Sequence, residues 1–371
     1  MIHIANNFIS SRVHAELACH LADKAGLQRV IVPVRRADDV GKHDPHHDSV
    51  QVDYVQFSNA LLRFLPLLKV LVVACKSYRP FRQAVQATKG SGQVQVIAHN
   101  FWSDGMVVLL LSLLMPVRYV LVVRNTDINI FIPKLIHYRW LMRFALARSE
   151  GMVFISESHR QRFEHRWPSL MKVAAGVWVI PNGVSRFWHD EMVTEKQSRR
   201  ITCGFVGRFD QNKNLKRIVA AGQRLHSEFE DFRLLLAGGS ESELLGQLQT
   251  ECLPDFVEVK GVIRDPNALK AFYRQCRVYL MPSLTETFGL VFIEALSQGC
   301  AVVCTRNEGI DGLFDSPHVR AVDPFSVQSI YQAARELLIA TPEGLDPHWV
   351  RAELTRFRWT EVASKYRDCF A

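Results

Sequence analysis

Val278 to Thr305 reads VYLMPSLTETFGLVFIEALSQGCAVVCT, one complete unit of a recognisable fold class. VYLMP is a short β-branched and aromatic run that ends at Pro282 and Ser283, as a buried strand entering a turn does. FGLVFIEALSQG has helical apolar spacing from about Gly289 to a stop at Gly299, and AVVCT is a second buried run. Strand, loop, helix and strand in this order build a parallel sheet with crossover helices. Two carboxylates interrupt the apolar surroundings: Glu286 on the loop and Glu294 just over one turn into the helix. Burying an unpaired carboxylate is costly, so Glu294 needs a partner that its own segment does not supply.

The same alternation extends outward over the whole chain. Strands are expected at MIHIA, QRVIVPV, KVLVVAC, VQVIAH, YVLVV, GMVFIS and VWVIP in the first half, and at ITCGFVG, FRLLLAG, VEVKGV, VYLMP and AVVCT in the second. The series meet in the polar, basic stretch IPNGVSRFWHDEMVTEKQSRR, where Asn182-Gly183 signals a turn. The expected organisation is therefore α/β, with two Rossmann-like doubly wound domains: residues 1–185, residues 186–345, and a terminal segment 346–371 ending in the amphipathic helix FRWTEVASKYRDCFA, which crosses back to the first domain. Ligands of such sheets bind outside the carboxyl ends of the strands, so two facing domains would share a central cleft.

Composition excludes several classes. The chain has 371 residues, 48% of them hydrophobic, enough for two cores. Its start lacks the charge pattern and apolar core of a secretory signal, and the expectation is a cytoplasmic protein. Val55–Cys75 is interrupted by Arg63, Pro66 and Lys69, and Met106–Val123 by Pro116 and Arg118, so each reads as a helix followed by a buried strand and not as a membrane span. Eight scattered cysteines without a Cys-x-x-Cys pair fit reduced, mostly buried thiols. Residues 1–188 hold 23 basic and 12 acidic side chains, a balance of +11, which leaves −3 of the total +8 for the remainder. A basic first half suits an acidic partner, and the cationic, aromatic segments PKLIHYRWLMRFALARSE and HRQRFEHRW suggest peripheral contact with an anionic membrane.

Candidate ligand-binding residues lie where strands end. ITCGFVG runs directly into RFDQNKNLKRI, placing Arg208 at a strand end and Lys213 near the next helix start, a cation pair suited to a diphosphate. Gly238-Gly239 follows a strand and permits close backbone approach, and Ile263 to Asp265 sits at another strand end. The amides around Phe288, Gly289 and Leu290 can meet phosphate or sugar oxygens. In the first half His99 follows a buried strand, and reads either as a core histidine or as a site residue. Asp127, after YVLVV, reads as a site acid or a helix cap. KHDPHHDSV, with its proline, reads as a solvated turn and not a metal site, and no Asp-x-Asp occurs in the chain.

These residues resemble, in order and spacing, the retaining glycosyltransferases of family 4, which have the GT-B fold. Glu286, Phe288-Gly289-Leu290 and Glu294 match that family's paired-glutamate segment in register. Gly207-Arg208 with Lys213, Gly238-Gly239, Asn182-Gly183 and the aromatic tail fall in family order. The match is strong over residues 200–310 and diffuse elsewhere. Asn6-Asn7-Phe8 stands where the family has a glycine-rich turn, Asn125 replaces a glycine between Arg124 and Asp127, and EGIDG keeps Gly309 but places Gly312 where an acid is usual.

The resemblance implies that Arg208 and Lys213 hold the diphosphate of a nucleotide-sugar, that Glu294 accepts from the ribose hydroxyls and that Glu286 contacts the donor sugar. It also implies His99 and Asp127 as cleft residues and a hexosyl transfer, with retention, to a saccharide or lipid-linked acceptor in bacterial polysaccharide or glycolipid synthesis. Neither a metal nor a separate cofactor is expected, and no nucleic acid. The competing readings are a nucleotide-sugar epimerase or phosphorylase on the same fold, and a non-catalytic partner subunit.

Overall fold

The computed structural model describes residues 1–57, 65–87 and 93–371; Arg63, expected to interrupt the first apolar stretch, lies outside them. The chain forms two units. One comprises Met1–Ile155, His159–Gly183 and Trp359–Ala371, the other Ser156–Ser158 and Val184–Arg358.

In the first unit the strands are β1 (Ile2–Ile4), β2 (Gln28–Val34), β3 (Val50–Gln56), β4 (Val94–Ala98), β5 (Val117–Val123), β6 (Gly151–Phe154) and β7 (Val177–Val179). They form one sheet in the order β3-β2-β1-β4-β5-β6-β7, and every pair is parallel. The strand order therefore reverses beside β1. Period-two alternation sorts the buried side chains: Ile31 joins the core that contains Ile4, Val96 and Leu121, while Val30 and Val32 join the opposite core with Phe8 and Ala18. The helix Trp359–Asp368 buries Trp359, Val362, Ala363 and Tyr366 within this unit. A Cβ on Gly183 would meet the Trp359 ring at 2.3 Å, so that glycine seats the returning helix.

Two expectations about this unit are corrected. KVLVVAC is not a strand but part of the helix Pro66–Ala87, and the order around the first apolar stretch is strand and then helix. Val70, Val73, Ala74, Ser77 and Phe81 are buried at helical spacing, whereas Leu68 and Leu71 are 46% and 48% exposed. A short β-branched run satisfies both periodicities, and the long amphipathic stripe that follows it selects the helix. The strand beside it, VQVDYVQ, carries Gln51, Asp53 and Gln56 because β3 is an edge that, among the described residues, pairs with β2 alone. Met106–Val123 does follow helix with strand: Ser103–Ser112 and then β5. No helix among the described residues is long and apolar enough to cross a membrane.

The second unit contains β8 (Thr202–Val206), β9 (Arg233–Ala237), β10 (Val257–Val259), β11 (Val278–Leu280), β12 (Ala301–Thr305) and β13 (Val319–Val322). All pair in parallel in the order β10-β9-β8-β11-β12-β13. β13, VRAV, was not anticipated; it is an edge strand with an exposed arginine in its middle. The order reverses between β8 and β11, and at such a switch point the loops leaving the two strands diverge and open a crevice.

Candidate functional site

The loops that leave β8 and β11 are joined by two asparagines. Asn212 donates through Nδ2 to the Thr285 carbonyl (3.0 Å), and its Oδ1 accepts from the Thr285 backbone N–H and hydroxyl at 3.0 and 2.9 Å. Asn214, with φ 60°, begins the helix Leu215–Glu228, and its Nδ2 donates to the Pro282 and Pro324 carbonyls at 3.0 and 2.7 Å. Asparagine is among the few residues that adopt this left-handed backbone readily while supplying a side-chain donor. On the next loop, Gly238 has φ +117° and lies so close to Gly207 that a Cβ would stand 2.2 Å from the Gly207 carbonyl oxygen. Only glycine fits there.

This scaffold brings Lys213 and Glu286 together. Their Nζ–Oε2 distance is 2.8 Å, with each side chain 16% exposed. Oε1 of Glu286 accepts from the Thr287 N–H (3.0 Å), the Glu286 N–H donates to Glu308 Oε2 (2.9 Å), and the Gly309 N–H donates to the Glu286 carbonyl (3.1 Å). Glu308 was not singled out in the sequence, although it directly precedes Gly309. Gly289 has φ 76° at the start of the helix Leu290–Ser297; its carbonyl accepts from the Phe292 N–H at 3.0 Å, and the Leu290 N–H at the first helical position has no intrahelical acceptor. The Phe288 ring is buried against Phe357, with centroids 5.9 Å apart, so only its backbone faces the loop chemistry.

Other expected residues are placed differently. Arg208 is 90% exposed at its side chain, 3.8 Å from Asp210, and remains apart from the Lys213–Glu286 pair. Ile263 is half-buried on the loop after β10, whose Gly261 carbonyl accepts from the Gly238 N–H at 2.7 Å. Glu294 does have a protein partner: the Tyr273 hydroxyl donates to its Oε2 at 3.1 Å. Burial pushes the Glu294 carboxyl up to about 7, against the opposing Tyr273 bond. One hydroxyl leaves its other oxygen able to accept from a ligand.

His99 and Asp127 belong to the first unit. His99 is fully buried between His3 and His14, with Nε2 3.0 Å from His3 Nδ1 and Nδ1 3.2 Å from His14 Nδ1. The proton positions follow from the far end of the chain. Gln28 Nε2 donates to the Gly26 carbonyl, so its Oε1 accepts from His3 Nε2–H, 3.1 Å away. His3 Nδ1 must then accept from His99, and His99 Nδ1 from His14, when all three rings are neutral. Burial holds them neutral: His3 is lowered to about 4, and His14 and His99 lie well below the ordinary range. His14 Nε2 is left with its lone pair.

Asp127 accepts from the backbone N–H groups of Phe101, Trp102 and Arg124 at 3.1, 3.0 and 2.9 Å. Burial raises it to about 6 against the pull of those three bonds. It organises the turn that carries Trp102 into the helix Ser103–Ser112. Asp104, another residue the sequence did not advertise, accepts from the Asn6 N–H at 3.2 Å and lies beside the Asn6-Asn7 turn.

Residues 187–343 match the family described as glycosyl transferases group 1. The chain is 32% identical over 188 residues to the phosphatidylinositol N-acetylglucosaminyltransferase gpi3 subunit of Schizosaccharomyces pombe, a match covering 50% of this chain and 40% of that protein. It is 28% identical over 241 residues to the phosphatidyl-myo-inositol mannosyltransferase of Mycobacterium tuberculosis, covering 62% of this chain and 61% of that one. The matches thus span roughly half the length of these curated relatives. The sucrose-phosphate synthase structure from Thermosynechococcus elongatus superposes with a TM-score of 0.66 at 18% identity, covering 100% of this chain and 98% of that one, and shows the GT-B fold. The segment that matches the group 1 glycosyltransferases lies within the second unit and contains both Lys213 and Glu286.

Proposed function

We propose that the protein transfers a hexosyl group from a nucleotide-diphosphate sugar to a hydroxyl of a saccharide or lipid-linked acceptor, with retention of configuration. The observation that carries this reading is the Lys213–Glu286 pair at the switch point of the second sheet. A departing diphosphate gains charge in the transition state, and a prepositioned ammonium stabilises it there without a metal ion. Lys213 shares its charge with Glu286 until the donor arrives. Glu286, anchored at both backbone ends, then accepts from a sugar hydroxyl. Exposed Arg208 closes on the diphosphate from the loop, and Glu294 takes the ribose hydroxyls on the oxygen that Tyr273 leaves open. The Phe288–Leu290 backbone, close-packed Gly238 and Ile263 line the donor. In the first unit the neutral His99 chain and the Asp127 turn shape the acceptor side.

The names of the relatives, both of which act on inositol lipids, support a glycolipid acceptor. Peripheral contact with the inner face of the cytoplasmic membrane rests on the helix Arg139–Ala147. Trp140 and Phe144, one turn apart, are 65% and 43% exposed beside Arg139, Arg143 and Arg148.

Lys213→Ala tests the central assignment. One lost charge-assisted contact is worth about 1.5–3 kcal/mol, so kcat should fall by about tenfold or more while the fold survives, with Tm lowered because Glu286 loses its cation. Turnover equal to wild type sinks the assignment. An assay with donor alone separates the alternatives: conversion without acceptor indicates an epimerase, and no response to any nucleotide indicates a partner subunit.

A further inference from the structure

Within the first unit lies a cavity of about 260 Å³ that none of the donor residues enters. Its lining combines apolar and cationic side chains. Val70, Val73, Val107 and Phe131 supply apolar lining, while Arg35, Lys69 and Lys134 reach the same cavity from three separate segments. None of these three cations forms an ion pair among the described residues. The acid in the lining is Asp104, whose two oxygens are occupied by the Asn6 N–H and the Ser103 hydroxyl. Burial pushes Asp104 up to about 8, which leaves it largely protonated at neutral pH. The cavity is therefore net positive.

Lys69 shows the consequence most directly. Its Nζ sits 5.6 Å from the centre of the Phe57 ring, and its pKa lies below the ordinary lysine range through burial and then through repulsion from Arg35, against the attraction of Asp104. An ammonium in such a place is stabilised by an anion, and a guanidinium and two ammonium groups lining one cavity suit a group with several outward oxygens. A carboxylate offers two in one plane, whereas a phosphate ester offers three and carries more charge.

We propose that this cavity binds a phosphate ester, its phosphate held by Arg35, Lys69 and Lys134 and its carbon skeleton against the apolar lining. The proposal rests on the glycosyltransferase reading in one respect, that the ester supplies the acceptor hydroxyl. The phosphate can belong to a membrane lipid or to a soluble molecule.

The test uses the full chain with glycerol 3-phosphate, inorganic phosphate, a nucleotide-sugar panel, and phosphatidylcholine vesicles with or without phosphatidylglycerol. Glycerol 3-phosphate should raise Tm and bind more tightly than inorganic phosphate, which lacks the skeleton. The double variant Lys69→Met/Lys134→Met should bind it at least about tenfold more weakly, the loss expected of two charged contacts. Its Tm without ligand should equal or exceed wild type, because the repulsion with Arg35 is gone. Its response to nucleotide-sugars should persist, since those residues lie in the other unit. Lys42→Met, at an exposed cation paired with Asp39, serves as control. Displacement of glycerol 3-phosphate by phosphatidylglycerol vesicles assigns the phosphate to lipid; displacement only by soluble ester assigns it to a soluble acceptor. Equal affinity in wild type and the double variant, or no response of wild type to glycerol 3-phosphate, overturns the proposal. Loss of every nucleotide response with ester binding intact would instead remove the donor reading and leave this cavity standing.

Discussion

At the scale of single residues, buried ionisable groups set opposing limits on stability. Glu294, Asp104 and Asp127 have carboxyl pKa values raised to about 7, 8 and 6, so the folded state retains protons that the unfolded chain releases. Stability should therefore fall as pH rises from the ordinary carboxylate range toward those values. His3, His14 and His99 are lowered, so the unfolded chain binds protons first and stability falls as pH drops below the ordinary histidine value of about 6.5. Tm against pH should be bell-shaped. Glu294→Gln should raise Tm relative to wild type at pH 8 and barely change it at pH 4.5, while weakening donor binding; a uniform offset across pH would contradict the assignment. Gly238→Ala puts a methyl group where the Gly207 carbonyl already stands, at positive φ. It should cost on the order of 3 kcal/mol or more, seen as a large fall in Tm or as insoluble protein.

At the scale of elements, legibility depended on how far pattern outruns composition. The central strands β8, β9, β11 and β12 were legible because a strand covered on both faces needs an unbroken apolar run. Two of the four edges, β3 and β13, were not, because an edge strand tolerates polar residues; β7 and β10, also edges, kept a recognisable β-branched alternation. KVLVVAC misled in the opposite sense: its composition is that of a strand, and only the helical stripe extending through Phe81 to Val85 shows its true state. On the helix Arg139–Ala147, Trp140 and Phe144 are left exposed by the described residues. Trp140→Glu/Phe144→Glu should abolish flotation with anionic vesicles and leave Tm unchanged; retained flotation would exclude this helix as the docking face.

At the scale of the whole molecule, each unit has its own parallel sheet, and the expected donor residues all fall in the second. A chain with two sheets need not unfold in one step. Calorimetry should give a calorimetric enthalpy larger than the van't Hoff enthalpy, and a nucleotide-sugar should move only part of the heat absorption upward. A single two-state transition shifted as a whole would contradict this.

The sequence by itself determined the fold class and the positions of the two glutamates, because strand and helix periodicities and the glycine stops act over a few residues. It could not show that Lys213 pairs with Glu286, 73 positions away, or that Asn212 and Asn214 join the loops that make the pair. It also could not show that Tyr273 supplies a partner for the carboxylate of Glu294, or that His3, His14 and His99 form one proton-ordered chain. Those contacts depend on which strands lie side by side at the switch points of the two sheets. Sheet order is set by packing between distant segments, and only the tertiary structure resolves it.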